Sequence, residues 1–404
     1  MKYPFFLIIA LLQVHLLAGQ LPAGAPPSAI EQPPVRQWKF QTAAPILGSP
    51  AIAQGLVYFG GLDSVLYALD LDTGKTRWTF KSGGPIRSTP LIMGDTLVLN
   101  GGDGNLYALN RGTGKTCWTF ATGGERQYDF ADYHHSSPVF HNGALYFGSG
   151  DGYLYAVDAR NGKALWRFQT GDVVHSTPAV DNGRVFFGSF DGYVYALYAL
   201  SGELIWKFKT VGHRYFPKGE VQGSPAAFNG LVFIGARDYN VYAIDQEKGF
   251  AHWNKAFTRG WGLVNQIQDS VLYTGGADER VLIAADPATG REYWNRKMEF
   301  LIFGRFAYAD SMLYAGTTMG KIHGIDRETG EKRWSYTTDG YLQNRLKYFK
   351  PDDSYRDDIY SIIRSNEQFL EVEFELGGIF STPAVTKDYL IVTTGEGAVY
   401  CLKR

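Results

Sequence analysis

Short segments that alternate between apolar and polar character recur along most of the chain, and glycine-rich turns separate them. Two early examples are Val57-Tyr58-Phe59 and Leu66-Tyr67-Ala68-Leu69. Alternation with a period of two is typical of β-strands, because successive side chains point to opposite faces of a sheet. A helical repeat would instead space its apolar residues by about 3.6 positions. The pattern therefore predicts an all-β protein.

The strands belong to a repeat of about forty residues. Each copy passes from Ser/Thr-Pro through an apolar strand, a Gly-rich turn with Asp, a Leu/Val-Tyr-Ala strand and a Thr-Gly-Lys turn to Trp-x-Phe, as in residues 49–78, 89–118 and 177–206. The tryptophans that end the copies are Trp78, Trp118, Trp166, Trp206, Trp253, Trp294 and Trp334. Four strands within such a period match one blade of a β-propeller.

Counting each strand type predicts eight blades. The innermost strand occurs eight times, beginning at Ser49, Thr89, Ser137, Thr177, Ser224, Leu263, Arg305 and Thr382. The outermost strand follows only seven of these, and its eighth copy, Trp38-Lys39-Phe40, stands before the first blade. We therefore predict one domain, residues 37–404, folded as an eight-bladed β-propeller. Pairing of the N-terminal strand with the C-terminal blade (residues 379–402) closes it and removes open sheet edges.

The start of the chain is typical of a targeting segment. Residues 1–19 combine a basic start, an apolar run and small residues, which predicts a secretory signal peptide too short to span a membrane comfortably. Residues 20–36, rich in Pro and Ala, predict a flexible leader. Gln20 stands where a lipoprotein box needs its lipidated cysteine. We therefore expect an exported protein, periplasmic or secreted, that is neither lipidated nor membrane-spanning.

Composition and cysteine usage add two expectations. The net charge is −1, which gives no reason to expect binding to nucleic acid. Cys117 and Cys401, the only two cysteines, fall in different blades, on the outermost and the third strand. Since a disulfide needs Cα atoms within about 7 Å, we predict two unpaired, buried thiols.

Three connections exceed what the repeat needs, at residues 121–134, 210–221 and 337–378. All three follow an outermost strand, so they lie on one face of the ring, the top face, and loops of this kind are usually binding or lid elements. The longest insertion, residues 338–377, predicts a small helical cap. Its helices are expected at 353–363 and 365–376, after an aromatic and basic lead-in at 341–351.

One column of the repeat, three residues before the Pro position, is expected to form a ring around the channel entrance. It contains Leu47, Arg87, His135, His175, Gln222, Trp261, Phe303 and Phe380. Polar groups on one side and aromatics on the other predict a site for a flat, polar-edged ligand or a peptide side chain. The candidate binding residues are Arg87, His135, His175, Gln222, Trp261, Phe303, Arg305 and Phe380. The alternative is that the polar members only line a wet channel.

Other chemistry is sparse in the sequence. His135 and His175 come from neighbouring blades and could share a zinc or copper ion, but no motif places a cysteine or acidic residue to complete that site. No nucleophile-elbow motif supports a Ser-His-Asp triad. The Gly-Asp turns carry a single Asp each, fewer oxygen ligands than calcium needs. We therefore assign neither a metal site nor a catalytic residue.

The repeat resembles that of the pyrroloquinoline-quinone (PQQ) or quinoprotein β-propellers. The matching residues are Asp70-x-Asp-Thr-Gly-Lys-x-x-Trp78 and Asp158-Ala-Arg-Asn-Gly-Lys-x-x-Trp166. The resemblance implies that each Trp docks between neighbouring blades and that a Gly packs against it.

Family members of two kinds suggest two functions. The first is a non-catalytic, monomeric scaffold that binds a protein partner in the cell envelope through its top face. The alternative is an alcohol or sugar dehydrogenase with PQQ and calcium at the channel mouth. Such enzymes carry a vicinal cysteine pair, which this sequence lacks, so we favour the scaffold.

Overall fold

The structure is a computed structural model that describes residues 32–404. The predicted signal peptide and the predicted leader up to residue 31 lie outside the described residues. Within this part of the chain, thirty-two strands form eight antiparallel sheets of four strands each. The eight-bladed propeller is therefore confirmed.

The first strand, β1, covers Val35–Gln41, so the fold begins two residues before the predicted start at 37. The strands of blades one to four follow in groups of four: β2 Ala51–Ala53, β3 Leu56–Gly60, β4 Val65–Asp70, β5 Thr76–Lys81; β6 Leu91–Met93, β7 Thr96–Asn100, β8 Asn105–Asn110, β9 Thr116–Ala121; β10 Val139–His141, β11 Ala144–Gly148, β12 Tyr153–Asp158, β13 Ala164–Gln169; β14 Ala179–Asp181, β15 Arg184–Gly188, β16 Tyr193–Tyr198, β17 Leu204–Lys209.

Blades five to eight continue in the same order, with three helices before the last blade. Their elements are β18 Ala226–Phe228, β19 Leu231–Gly235, β20 Asn240–Asp245, β21 Ala251–Ala256; β22 Gly262–Gln268, β23 Val271–Gly276, β24 Val281–Ala285, β25 Glu292–Lys297; β26 Ala307–Ala309, β27 Met312–Gly316, β28 Lys321–Asp326, β29 Lys332–Thr337; α1 Asp339–Tyr348, α2 Ile359–Ile362, α3 Asn366–Glu375; β30 Ala384–Val385, β31 Tyr389–Thr393 and β32 Ala398–Lys403.

The ring closes as predicted. β1 pairs antiparallel with β32, with Trp38 opposite Cys401, and completes the sheet β1-β32-β31-β30. Lys39 of β1 also reaches the Asp339 carboxylate at the start of α1, at 3.1 Å. The helical insertion is therefore attached to the seam between the two ends of the ring.

The Ser/Thr-Pro step of the repeat has a visible role. The residue after it starts the innermost strand, as in β2 at Ala51 after Pro50, because proline has no amide hydrogen to donate to a sheet. The hydroxyl of the Ser or Thr before the proline accepts a hydrogen bond from a backbone amide of the neighbouring blade. The amides of Thr89 and Thr382 donate to the hydroxyls of Ser137 and Ser49, both at 2.9 Å, and the second bond crosses the seam.

Tryptophan docking, which the family resemblance implies, is confirmed. The indole Nε1 of Trp206 donates to the carbonyl of Gln246 in the next blade at 2.9 Å, and that of Trp38 donates to the carbonyl of Leu71 at 2.8 Å. Gly249 adopts a positive φ of 72° beside Trp206, where an added Cβ would lie 2.6 Å from the indole. Glycine is therefore required there by both conformation and space.

The helical insertion is only partly as predicted. Ser365 caps α3 as expected, by accepting from the amide of Gln368. The predicted helix at 353–363 is wrong except for the short α2, because Asp353 has a positive φ of 62° and its carboxylate pairs with Lys321 at 2.8 Å instead of capping. The segment read as a lead-in contains most of α1, which is capped by Thr338.

The two cysteines differ in their exposure to solvent. Both are free, as predicted, but only Cys401 is buried. The prediction of a buried Cys117 is wrong, because this residue points outward from the outermost strand β9.

Among residues 32–404, no helix is long and apolar enough to cross a membrane.

Candidate functional site

The three insertions converge on the channel mouth. We call residues 125–134 the mouth loop and residues 338–377 the helical cap. Tyr128 of the mouth loop donates to Glu220 of the second insertion at 3.3 Å. Tyr133 of the mouth loop contacts Phe380, which in turn contacts Phe374 of the helical cap, with ring centroids 4.9 and 5.7 Å apart. The top face is therefore one connected structure across several blades.

The mouth loop binds the polar side of the predicted ring. Arg87 donates to the carbonyl of Asp132 at 2.6 Å and to the side chain of Gln127 at 3.0 Å. Gln222 donates to the carbonyl of Ala131 at 3.0 Å. The hydrogen-bonding groups expected to receive a ligand are thus engaged by the chain itself.

His175 is held between two carboxylates. Its Nδ1 lies 2.8 Å from Asp132 Oδ2, and its Nε2 lies 2.7 Å from Glu125 Oε1. The side chains of His175 and Asp132 are fully buried. Burial acts to lower the pKa of His175, but the two carboxylates outweigh it and raise the pKa to about 9. At neutral pH the ring is therefore a buried cation that ties the mouth loop to blade four.

His135 lies beside His175 and has a different electrostatic character. The two ring centroids are 4.9 Å apart. Burial, together with the charges of His175 and Arg87, places the pKa of His135 well below its ordinary value. Its Nδ1 is buried and has no hydrogen-bond partner within the described residues. Two adjacent histidines thus provide one cationic and one neutral imidazole.

The aromatic side of the ring is filled in the same way. Tyr133 enters between Phe303 and Phe380, with ring centroids 5.0 and 4.9 Å away. His134 stacks on Phe303 at 5.7 Å and bonds to the carbonyl of Leu47 at 3.1 Å. Burial lowers the pKa of His134 to about 4 despite that bond, so this ring is neutral.

Trp261 contacts Arg237, a residue that the ring column does not include. The Arg237 guanidinium carbon lies 4.3 Å from the centroid of the Trp261 ring, close enough for a cation–π interaction. The same guanidinium forms a bidentate pair with Asp129 of the mouth loop and donates to Gln222 Oε1. Arg237 therefore joins the polar and aromatic sides of the ring.

Arg305 does not join this cluster. Its guanidinium donates to the carbonyls of Ser224 and Pro225 in blade five, at 3.4 and 3.2 Å. Arg305 occupies a position where most copies of the repeat have Ser or Thr. It links blades seven and five from within the channel, below the other candidate residues.

The helical cap contributes a buried acid near the mouth. Glu373 of α3 is only 3% exposed. Burial raises its pKa to about 8, and the charge of Asp278 acts in the same direction. Burial raises the pKa of Tyr133, and the carboxyl of Glu373 raises it further.

Five residues that surround the ring were not predicted from the sequence. Four of them lie in the mouth loop, namely Glu125, Asp129, Asp132 and Tyr133, whereas Arg237 lies in the turn between β19 and β20. One signal was available, since three acidic residues fall within the ten residues of the mouth loop and the ring beneath contains Arg and His. Opposite charges on a loop and on the surface it covers favour their contact.

The fold and the residues at the channel mouth define the class of this protein. It is an eight-bladed propeller of the PQQ-like, quinoprotein type, and a loop of its own chain contacts the residues at the channel entrance. The family described as outer membrane protein assembly factor BamB matches residues 34–190, 126–258 and 277–348, which is more than half of the chain. The chain belongs to this family. A BamB from Kangiella koreensis is 27% identical over 153 residues, which cover 34% of this chain and 36% of that relative.

Solved structures share the fold. BamB from Moraxella catarrhalis has a TM-score of 0.67 at 13% identity, covering 92% of this chain and all of that one. The computationally designed Ika8 protein has a TM-score of 0.68 at 16% identity, with 92% and 100% covered. Quinohemoprotein alcohol dehydrogenase ADHIIG from Pseudomonas putida HK5 has a TM-score of 0.65 at 16% identity, with 91% of this chain and 76% of that chain covered.

The residues at the mouth do not fit a quinone cofactor. A flat quinone would need a free aromatic face and a cation for its carboxylates. Trp261 instead lies against Arg237, and Arg87 is engaged by the mouth loop. The carboxylates of Asp132 and Glu125 stand on either side of His175, where they would repel an anionic cofactor. We therefore derive no chemistry through PQQ.

Proposed function

We propose that this protein is a non-catalytic scaffold of the cell envelope that binds a protein partner through its top face. The observation that carries the proposal is the contact between the mouth loop and the channel mouth. Because Tyr133 packs on Phe303 and Arg87 donates to the carbonyl of Asp132, the surface of the insertions is left for recognition. Membership of the BamB family supports it, because that family is described as an outer membrane protein assembly factor.

The insertions offer apolar surface suited to a protein partner. Among residues 32–404, half of the exposed large hydrophobic residues lie in the three insertions, although the insertions are a small part of the chain. These residues are Phe130, Val211, Tyr215, Leu342, Leu346, Tyr355, Tyr360 and Ile362. Leu342 and Leu346 are one turn apart on α1 and are 65% and 59% exposed. Side chains at this spacing lie on one helix face, as in many protein interfaces where apolar residues form the centre.

The test uses point variants of the full chain. Deletion of the helical cap would remove Leu376, which is fully buried, so it would confuse binding with folding. We would capture the partner from envelope fractions by cross-linking, purify it, and measure its affinity for the wild type and for Leu342→Gln/Leu346→Gln. Loss of an apolar contact at the centre of an interface weakens binding by about tenfold or more, and we expect that loss here.

Leu200→Gln is the matched control. Leu200 is 94% exposed on the turn between β16 and β17, on the opposite face of the ring. This variant should bind the partner as the wild type does. Binding through the helical cap would be refuted if both variants lowered the affinity for the partner equally, or if neither variant lowered it. Added PQQ and calcium should leave the absorbance spectrum unchanged, and a bound-quinone band would instead support a dehydrogenase.

Location in the envelope needs its own measurement. The chain expressed from its first residue should appear in the periplasmic or extracellular fraction with its N-terminal segment removed. Residence in the cytoplasm would refute the envelope part of the proposal while leaving the affinity measurement intact.

A further inference from the structure

We propose that Glu125, His135 and His175 form a binding site for one zinc ion beneath the mouth loop. The site is made by three separate parts of the chain. Glu125 lies in the mouth loop, whereas His135 and His175 precede the inner strands of blades three and four. The proposal is independent of any protein partner.

The donor atoms are already close together. One carboxylate oxygen of Glu125 and one ring nitrogen from each histidine all lie within 4.8 Å of one another. Zinc binds nitrogen and oxygen donors at about 2.0–2.2 Å in a tetrahedral arrangement, so the donors of a zinc site lie about 3.3–3.6 Å apart. Modest side-chain movements would bring all three into bonding range.

The proposed site has donor capacity that the metal-free protein does not use. Nδ1 of His135 and the second carboxylate oxygen of Glu125 are buried and have no partner within the described residues. His135 is 5% exposed. Buried polar atoms are almost always hydrogen-bonded. Two such atoms without a partner in one cluster therefore indicate a place where a metal ion can bind.

Asp132 supplies the support that a metal-binding histidine requires. Its carboxylate lies 2.8 Å from Nδ1 of His175, which orients the ring and leaves Nε2 to face Glu125 and the ion. Histidines that bind metals commonly donate their other ring N–H to a carboxylate, and removal of that partner reduces affinity about 10–100-fold. The second oxygen of Asp132 is also buried without a partner.

The donor atoms favour zinc over the hard cations. Two imidazoles and one carboxylate suit Zn²⁺, whereas Ca²⁺ and Mg²⁺ prefer sites made only of oxygen. Binding replaces the proton on His175 Nε2 by the ion, and that proton leaves to solvent. Because the donors come from the mouth loop and two blades, the bound ion would lock the loop over the channel.

The experiment uses the full chain after removal of metals with EDTA. Isothermal titration with ZnCl₂ should give one ion per chain at micromolar affinity or tighter. Titration with CoCl₂ should give the visible absorption bands of a tetrahedral cobalt site. Zinc should also raise the melting temperature, because a ligand of the folded state stabilises it.

His135→Gln is the decisive variant. Since Nδ1 of His135 has no partner in the described residues, the change should leave the metal-free melting temperature near that of the wild type. It should weaken zinc binding at least tenfold and abolish the cobalt bands. Asp132→Asn should weaken binding about 10–100-fold with the stoichiometry unchanged.

His252→Ala is the control, because His252 is an exposed histidine 3.2 Å from Asp245 on the outer strand of blade five. This variant should bind zinc as the wild type does. The proposal is overturned if the wild type binds no zinc at micromolar concentrations. It is also overturned if His135→Gln binds zinc as tightly as the wild type, or if His252→Ala removes the binding.

Discussion

The guanidinium of Arg237 lies over the ring of Trp261, 4.3 Å from its centroid, and the arginine is only 1% exposed. A buried cation of this kind depends on its counter-ion, because removal of one partner leaves an uncompensated charge. Here the counter-ion is Asp129 of the mouth loop, whose side chain is 32% exposed.

Asp129→Asn should therefore reduce the free energy of unfolding by about 1–3 kcal/mol. The change is measured by urea unfolding. Asp95→Asn is the control, since Asp95 pairs with the buried Arg111 but is itself 93% exposed to solvent that screens the interaction. Its effect should stay below about 0.5 kcal/mol. Equal effects of the two variants would show that Asp129 does not neutralise Arg237.

Gly249→Ala tests the docking of tryptophan between blades. Gly249 and Gly230 both have positive φ, 72° and 77°, but a Cβ at Gly249 would lie 2.6 Å from Trp206, whereas one at Gly230 would meet nothing within 4 Å. Gly230→Ala should lower the free energy of unfolding by about 1–2 kcal/mol, because of the left-handed backbone alone. Gly249→Ala should lower it by clearly more, as measured by thermal unfolding. Equal decreases would mean that the indole of Trp206 moves away without an energetic cost.

Glu373→Gln should change the pH dependence of stability. The folded protein raises the pKa of Glu373 from 4.5 to about 8. Between these two values the unfolded chain ionises Glu373 while the folded chain keeps it protonated, so the wild type loses stability as the pH rises through that interval. Glutamine stays neutral and avoids the loss.

The stability of Glu373→Gln relative to the wild type should therefore grow from pH 5 to pH 8, by up to several kcal/mol, and be constant above that range. Unfolding free energies at several pH values would measure it. Glu371→Gln, at an exposed position of the same helix, is the control for the loss of one carboxyl group from α3. The same pH dependence for both variants would show that the carboxyl of Glu373 is ionised in the folded protein.

The two thiols should react at very different rates. Cys117 is exposed on β9, whereas burial raises the pKa of Cys401 to about 12. Since the thiolate is the reactive form, a thiol reagent should modify one cysteine per native chain and two after denaturation. Mass spectrometry of the modified peptides should identify Cys117 first, and early modification of Cys401 would indicate an open seam.

The repeat made the scaffold predictable. Trp38 without a blade before it, and a last blade without its tryptophan strand, were enough to predict the pairing of β1 with β32. These features were readable because the repeat imposes the same local requirements on most blades, such as a glycine with positive φ against a tryptophan of the neighbouring blade.

The contents of the channel mouth were less predictable. The column placed Arg87 and His175 at the entrance, but the groups that bind them come from the mouth loop, which no other blade repeats. The helix α1 was also unpredicted, because it begins with Asp339-Gly340, a pair typical of turns. It is instead fixed by tertiary contacts, including the bond from its first amide to the Tyr400 hydroxyl at 2.8 Å.

The seam has a consequence for biosynthesis. Gln41 donates to the carbonyl of Glu396, a partner 355 residues further along the chain, so blade eight cannot assemble until almost all of the described sequence has left the ribosome. Until then β1 lacks its partner strand β32, and its unpaired edges are prone to intermolecular pairing. We expect closure to be post-translational and slow relative to the formation of single blades, and a chaperone that shields these edges would act in that interval.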